Sequence, residues 1–308
     1  MRYTKRRLGY TAGILAAGFY GLNPLFALPL YAEGMDAWSI LLFRYLLSLP
    51  LLMIMAYKQG LSLKINWHEG IALFVLGMLM AGSSVLLYLT YTLMDAGIAS
   101  TVLFVYPILT ALLMAVIYGE HMHWLVGLCL LLATLGIVIL SGTGNSGNAH
   151  VSASGIVMVI SSALAYALYL IYINKGAVKG MPSAKATFYV LVMGSLLLIA
   201  GVSIHGHLSV PHGYHWLLSL GSAIFPTTLS LALTGVAIQH IGSTETAILG
   251  AMEPITAVFV GVTVFSESIS PRSACGILLI ILAVTLVVAK DKILSQTRKK
   301  ARIKVPRT

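Results

Sequence analysis

The fold is decided by an apolar stretch at residues 70–91, GIALFVLGMLMAGSSVLLYLTY, which carries no charged side chain. The hydrocarbon core of a bilayer is about 30 Å thick and is crossed by roughly 20 apolar residues in a helix. In lipid every backbone polar group must be satisfied within the protein, and a helix achieves this inside a single segment. This stretch therefore predicts a transmembrane helix.

Similar stretches recur along the whole chain. They predict ten spans, at about 8–31, 38–57, 70–91, 97–117, 123–141, 154–174, 185–204, 215–238, 245–266 and 271–289. The narrow gaps before the fifth and tenth spans leave eight or nine spans as the alternative. The alternation with a period of two that marks transmembrane strands is absent. The predicted fold class is an all-α integral membrane protein.

The composition supports this class and excludes others. Hydrophobic residues make up 58% of the chain, charged residues 9%, and the mean hydropathy is +0.93. Because a soluble domain carries roughly 25% charged residues, a soluble enzyme, a nucleic-acid module, a disordered chain and a disulfide scaffold are excluded. The net charge of +10 would suggest nucleic acid in a soluble protein. Here the positions of the charges give it another meaning.

The cationic residues gather on one side of the predicted spans. With the N-terminus in the cytoplasm, 17 of the 19 Lys and Arg residues face that side, eight of them after the last span. The positive-inside rule then places both termini in the cytoplasm. The first 32 residues exceed a signal peptide's apolar region, so we expect a retained helix. The basic tail, residues 291–308, is predicted to contact anionic lipid headgroups, and nucleic acid is not an expected partner.

The chain also repeats itself, at an offset of 145–147 residues. The matching pairs are Gly9 and Gly155, Tyr20 and Tyr166, Phe43 and Phe188, Pro107 and Pro254, and Glu120 and Glu267. The repeats are residues 8–141 and 154–290, joined by a linker at 142–153. Since each repeat has an odd number of spans, five, the second copy is inverted in the membrane, as in many secondary transporters.

Several motifs resemble the EamA family of the drug/metabolite transporter superfamily. Tyr20-Gly21-Leu22-Asn23 resembles its Trp-Gly-x-Asn segment, and Phe43-Arg44 resembles its second helix. The helix-end carboxylates of the two halves resemble the ends of its two repeats. Tyr20 stands where Trp is usual and Ser266 replaces a usual Gly, so substrate preference is not transferred.

The resemblance implies ten helices around a central cavity. It also implies a location in the plasma membrane, namely the inner membrane of a bacterium. It implies secondary active transport by alternating access, with export favoured, of small metabolites such as amino acids or related zwitterions. The expected driving force is a proton gradient or a solute gradient, and no cofactor is expected.

Two ionisable residues lie clearly within spans, where each costs about 2.5–3.5 kcal/mol on insertion scales. Glu253 precedes Pro254, which frees a backbone carbonyl and favours a kink. This carboxylate either binds a substrate ammonium or a proton, or stays protonated as a structural brace. Arg44 either holds a substrate carboxylate, or snorkels to the outer headgroups or joins a structural ion pair.

Aromatic and amide side chains form a second group of cavity candidates. They are Tyr20, Asn23, Tyr106, Tyr166 and Tyr169, with helix kinks predicted at Pro24, Pro107 and Pro254. Such groups offer hydroxyls and ring faces to a small solute. The alternative is that these tyrosines belong to an interfacial belt. Glu120 and Glu267 are predicted to stabilise helix termini through the helix dipole.

Other readings are disfavoured by what the spans lack. Four histidines of the loop before the eighth span, His205, His207, His212 and His215, do not have the spacing of a standard zinc site. Cys129 and Cys275 are predicted near opposite faces, so no disulfide is expected. No P-loop is present to bind ATP. The alternatives are transport of phosphorylated solutes or nucleotide sugars, which calls for several cations, and an intramembrane lipid-modifying enzyme, which calls for a deep nucleophile or metal.

Overall fold

The computed structural model describes residues 2–90, 93, 99, 102–120, 123–141, 153–264, 271 and 274–286, and its elements there are all helical. The helices of the first half are α1 (Arg2–Tyr20), α2 (Asn23–Ala32), α3 (Ala37–Lys58), α4 (Trp67–Thr90), α5 (Tyr106–Tyr118) and α6 (Trp124–Ser141). Those of the second half are α7 (Ala153–Lys175), α8 (Ser183–His205), α9 (His215–Ser222), a π-helix (Ala223–Leu229), α10 (Ser230–Ile241), α11 (Ser243–Leu249), α12 (Met252–Val264) and α13 (Ala274–Leu286).

Six helical runs in the described residues are long and apolar enough to cross a membrane. They are Lys5–Ala32, Ala37–Lys58, Trp67–Thr90, Ala153–Lys175, Ser183–His205 and His215–Ile241, and they coincide with the predicted spans one to three and six to eight. The other predicted spans coincide with shorter apolar helices or extend beyond the described residues. The chain is a multi-pass membrane protein, while the count of ten and the orientation of the termini stay predictions.

The three prolines predicted to kink helices lie where helices begin. Pro24 and Pro107 occupy the first turns of α2 and α5, and Pro254 is in the first turn of α12. This position suits proline, because its missing N–H has no partner in the first turn of any helix. The first predicted span is consequently two helices, with a break at Gly21-Leu22.

The helices of the two halves interdigitate in a symmetric pattern. Helix α1 packs along α10, and α4 packs along α7; α3 packs along α8 across the middle of the molecule. Helices α1 and α10 belong to predicted spans one and eight, α4 and α7 to spans three and six, and α3 and α8 to spans two and seven. When each span is replaced by the span five places away, the α1–α10 contact becomes the α7–α4 contact, and the α3–α8 contact stays the same. Two repeats related by a two-fold axis would pack in this way.

Small residues allow the closest of these approaches. A Cβ atom at Gly77 of α4 would lie 2.6 Å from Cβ of Met193 and 2.7 Å from the backbone nitrogen of Gly194. Helices α4 and α8 are therefore in backbone contact, as small residues permit in membrane proteins. A few residues further on, Ser83 donates to the Ser162 carbonyl of α7 at 3.0 Å. Gly82, in contrast, has no neighbour within 4 Å of its hypothetical Cβ.

The predicted eighth span contains the π-helix, built around Pro226. Proline donates no hydrogen bond, and π-helical turns release carbonyls from the regular pattern. Helix α3 of the other half supplies donors for them: Ser48 Oγ donates to the Ala223 carbonyl at 3.0 Å, and Arg44 Nη2 donates to the Pro226 carbonyl at 3.3 Å.

Candidate functional site

A small cavity lies between helices of both halves. Its polar wall consists of Tyr20, Tyr106, Tyr166, Ser230, Thr234, Thr246 and Glu253, and glycine and alanine residues of α1 and α11 complete it. The centre of a water molecule can move through about 20 Å³ of it, which is room for about one water. The cavity is therefore too small for an organic solute, which fits only when the surrounding helices move apart.

Four of the residues singled out from the sequence line this cavity. Three of them are tyrosines, namely Tyr20, Tyr106 and Tyr166. The ring of Tyr106 meets that of Tyr166 edge-on, with centroids 4.9 Å apart. Tyr106 also donates from its hydroxyl to the Ala247 carbonyl at 3.3 Å. Tyr169 is fully buried and stacks behind Tyr166 at 6.0 Å. Tyr169 thus supports the cavity wall without belonging to it.

Glu253 is the fourth, and its carboxylate has no hydrogen bond or ion pair in the described part of the chain. It lies in the first turn of α12, where the helix dipole favours a negative charge. Among the described residues, the carboxylate also makes no hydrogen bond to local backbone of the kind that a bracing role requires. A carboxylate held on a cavity wall without a partner is available to bind a proton or a cationic group.

Arg44 lies outside the cavity, fully buried in a network of neutral groups. Its Nε donates to Thr227 Oγ1, and Nη1 donates to Asn23 Oδ1 at 3.0 Å and to the Tyr88 hydroxyl at 3.1 Å. Snorkelling to the headgroups is therefore wrong for this residue, because its side chain turns inward. No carboxylate lies within 4 Å of it in the described residues, so the ion pair is not observed either.

Asn23 belongs to this network and not to the cavity wall, since it accepts from both Arg44 and the Tyr88 hydroxyl, the latter at 2.9 Å. Tyr20 connects the two sites: it lines the cavity, and the Arg44 guanidinium lies 5.7 Å from its ring centroid.

Sequence reasoning missed the partners Tyr88 and Thr227, and also the cavity hydroxyls Ser230 and Thr234. For the partners of Arg44, the available signal was a proline inside an apolar span, because proline leaves backbone carbonyls without a hydrogen-bond donor. The i, i+4 spacing of two hydroxyls on α10 was the signal for the cavity hydroxyls, since such residues share a helix face.

A partly buried ion pair lies next to the cavity, on the predicted cytoplasmic side. Arg6 Nη2 lies 3.1 and 3.0 Å from the two carboxylate oxygens of Glu245, and the Tyr10 hydroxyl donates to the same carboxylate at 2.6 Å. Tyr10 is one turn before Gly13, and Glu245 directly precedes Thr246; both of these neighbours line the cavity. The cluster therefore joins α1 of the first half to α11 of the second, directly beneath the site.

A second ion pair joins the halves on the same predicted side. Lys175 Nζ, at the end of α7, lies 2.8 Å from Glu120 Oε1, just after α5. This pair joins predicted spans six and four, and the Arg6–Glu245 pair joins spans one and nine. Exchanging the two repeats converts one pair of spans into the other. Glu120 thus makes a contact between halves in addition to any effect on a helix terminus. Its counterpart Glu267 lies outside the described residues.

The predicted outer end is held by contacts around Asp36, which caps α3. Its carboxylate accepts from the Ser39 amide at 3.0 Å and from the Ser209 hydroxyl at 3.0 Å, and His207 Nδ1 lies 4.0 Å away. Burial alone would raise the pKa of Asp36, but the hydrogen bonds from Ser39, Ser209 and the Trp38 amide lower it below its ordinary value. The loop that carries the four histidines thus holds the other half through a serine and a carboxylate. Among the described residues, no three His, Cys, Asp or Glu side chains are grouped to hold a metal.

An all-helical membrane protein with a polar cavity between two symmetrically packed halves has the architecture of a membrane transporter. The chain belongs to the EamA-like transporter family, whose sequence pattern matches residues 7–142 and 153–289.

Relatives agree with this family. A protein named uncharacterized transporter sll1319, from Synechocystis, is 27% identical over 236 residues, which cover 74% of this chain and 68% of that protein. The threonine/homoserine exporter RhtA of Escherichia coli is 24% identical over 229 residues, which cover 73% of each. A crystal structure of another protein superposes with a TM-score of 0.80 at 16% identity, covering 96% of this chain and 99% of that one, which shows that the fold is shared.

Proposed function

We propose that this protein is a secondary active transporter that exports small organic metabolites carrying an amino group, across the plasma membrane of a bacterium. Amino acids and related zwitterions are the class to which the family likeness and the name of RhtA point. The observation that carries the proposal is the Glu253 carboxylate, which lies on the wall of a small cavity between the two halves and has no partner among the described residues.

Contacts at the two ends of the molecule support alternating access. The Arg6–Glu245 and Lys175–Glu120 pairs join the halves at one end, and the Asp36–Ser209 contact joins them at the other. In the proposed cycle, the repeats at residues 8–141 and 154–290 rock about the cavity, so that the contacts at one end break while those at the other hold. The tail at residues 291–308, outside the described residues, binds anionic headgroups on the cytoplasmic side.

Coupling to protons follows from the same carboxylate. Ionisable groups within membrane proteins commonly form proton relays. A proton and a substrate ammonium compete for Glu253, so that the arrival of one releases the other. Export of the solute is then driven by entry of a proton.

The transport of phosphorylated solutes is less well supported. Neither Lys, Arg nor His belongs to the cavity wall as described, and the donors of Arg44 are engaged elsewhere. The lipid-modifying enzyme is also less well supported, because no three His, Cys, Asp or Glu side chains are grouped among the described residues to hold a metal.

The test is uptake into proteoliposomes of a panel of radiolabelled metabolites, with and without a pH gradient. Glu253→Gln should reduce transport of the best substrate by about one to two orders of magnitude, because hydrogen bonds to charged groups contribute about 1.5–3 kcal/mol. Glu33→Gln is the matched control. Glu33 is exposed and accepts from the Tyr214 hydroxyl, and the amide oxygen of glutamine keeps this acceptor. An unchanged rate and pH dependence in a folded Glu253→Gln variant would refute the proposed role.

A further inference from the structure

We infer that the cavity selects solutes with one positive charge and no free carboxylate, such as primary amines and amino-acid amides, over zwitterions of the same size. The inference rests on the transport function proposed above and narrows the charge of its substrate. It is carried by the inventory of charged and polar groups on the cavity wall.

The wall offers one acidic group and no basic one. Glu253 is its single carboxylate, and the remaining polar groups on the described wall are hydroxyls of Tyr, Ser and Thr. The ammonium of a zwitterion would find a partner at Glu253, whereas its carboxylate would find only neutral donors. Placing an anion there, a few ångströms from Glu253, costs desolvation and adds repulsion between like charges.

Arg44 does not supply a free hydrogen-bond donor for a substrate carboxylate. Its three nitrogens already donate to Thr227, Asn23, Tyr88 and the Pro226 carbonyl, and it is fully buried. Tyr20 stands at the cavity wall with its ring next to the guanidinium. A substrate carboxylate could reach Arg44 only by displacing that ring and breaking hydrogen bonds that hold the π-helix.

Backbone groups do not supply it either. Helices α5 and α12 both begin at the wall, where exposed N–H groups could bind an anion, but the first turn of α5 contains Pro107, which has no N–H. Glu253 already occupies the first turn of α12. The amides just before it are satisfied, because Gly250 N donates to the Thr246 carbonyl at 3.2 Å and Ala251 N donates to the Ile248 carbonyl at 3.1 Å.

The remaining groups suit an ammonium. Tyr20, Tyr106 and Tyr166 present aromatic rings, whose faces attract cations by about 0.5–2 kcal/mol. Ser230 and Thr234 add hydroxyl oxygens that make no hydrogen bond in the described residues, and these can accept from an N–H group.

The experiment compares size-matched pairs of radiolabelled solutes in proteoliposomes at pH 7, with protein-free liposomes as background. The pairs are ethanolamine against glycine, and alaninamide against alanine; N-acetylalaninamide serves as the neutral control. We expect the cationic member of each pair to be carried at least ten times faster than the zwitterion, and the neutral solute to stay at background. Glu253→Gln, verified as monodisperse after purification, should abolish this preference.

A second pair of variants separates the aromatic ring from the fold. The Tyr166 hydroxyl makes no hydrogen bond in the described residues, so Tyr166→Phe should keep the preference for cations. Tyr166→Leu should reduce it about 3- to 10-fold, because the ring face is lost.

Zwitterions carried as fast as the cations, or faster, would overturn the inference and leave the proposed transport function standing. If the wider panel finds only zwitterionic or anionic substrates, the inference is overturned in the same way. If no solute of the panel is carried above background, the proposed function fails and the inference fails with it.

Discussion

The buried Arg44 network gives a prediction whose size can be worked out from the contacts. Arg44→Ala removes the donor from four acceptors, on Thr227, Asn23, Tyr88 and Pro226. Hydrogen bonds in membrane proteins average about 0.6 kcal/mol, and those in soluble proteins contribute about 1 kcal/mol. The free energy of unfolding should therefore fall by about 2–4 kcal/mol.

Arg44→Lys tests whether geometry matters beyond charge. Lysine keeps the positive charge but concentrates its donors on one nitrogen, so it cannot span acceptors on different helices as the guanidinium does. If it reaches half of the acceptors, the loss should be about 1–2 kcal/mol. Lys58→Ala, at the exposed end of the same helix, is the matched control and should stay within about 0.5 kcal/mol of wild type.

The assay is unfolding by SDS in mixed micelles, followed by tryptophan fluorescence, for all three variants side by side. The expected order of stability is wild type and Lys58→Ala, then Arg44→Lys, then Arg44→Ala. If Arg44→Ala lies within 0.5 kcal/mol of wild type, the network does not hold the π-helix, and the reasoning from its hydrogen bonds is refuted.

Three further predictions concern packing, capping and closure. Gly77→Ala should destabilise the protein by about 1–3 kcal/mol, because the new methyl group would overlap α8, while Gly82→Ala should be close to neutral; the same SDS titration measures both. Asp36→Asn should cost about 1–3 kcal/mol at pH 7, because asparagine keeps an acceptor for the Ser39 amide but loses the charged oxygen that accepts from the Ser39 and Ser209 hydroxyls. Because the pKa of Asp36 is lowered in the folded protein, its contribution is present above the ordinary pKa of 3.8 and is lost as the pH falls through the lowered one, so the difference from wild type should shrink as the pH is lowered below this range. Arg6→Glu should open the predicted cytoplasmic end, so that a thiol reagent labels a cysteine introduced into the cavity wall faster than in wild type. The double variant Arg6→Glu with Glu245→Arg restores the ion pair and should reverse this effect. Equal labelling of the single and double variants would contradict the closure.

The sequence was sufficient to predict the class of fold, and four of the residues that it singled out line one cavity. Long apolar stretches indicate a lipid environment, and a single segment in lipid can satisfy all its backbone hydrogen bonds only as a helix. The repeat pairs Tyr20 with Tyr166, and both line one cavity. Residues at equivalent positions of two symmetric repeats come together near the axis, so the internal repeat carried three-dimensional information that no single motif contained.

The partners of Arg44 could not be predicted in the same way. An intramembrane arginine signals that some partner exists, but Thr227 and the Pro226 carbonyl lie more than 180 residues away in the sequence. They became acceptors through a π-helix, whose register depends on the packing around Pro226 and has no period of its own in the sequence. Asn23 illustrates the same limit, because its helix position was correct while the direction of its side chain depended on Arg44.

The position of these acceptors also bears on how the chain is made. Asn23 and Tyr88 are synthesised close to Arg44, whereas Thr227 follows it by 183 residues. At about 5–20 residues per second, the ribosome needs roughly ten to forty seconds to cover that distance. During that period Arg44 lies in the bilayer with only two of its four hydrogen-bond acceptors, those on Asn23 and Tyr88. The other two are provided when the second half inserts. A nascent chain stalled before the π-helix should therefore be a substrate for membrane quality control, and the completed chain should escape it.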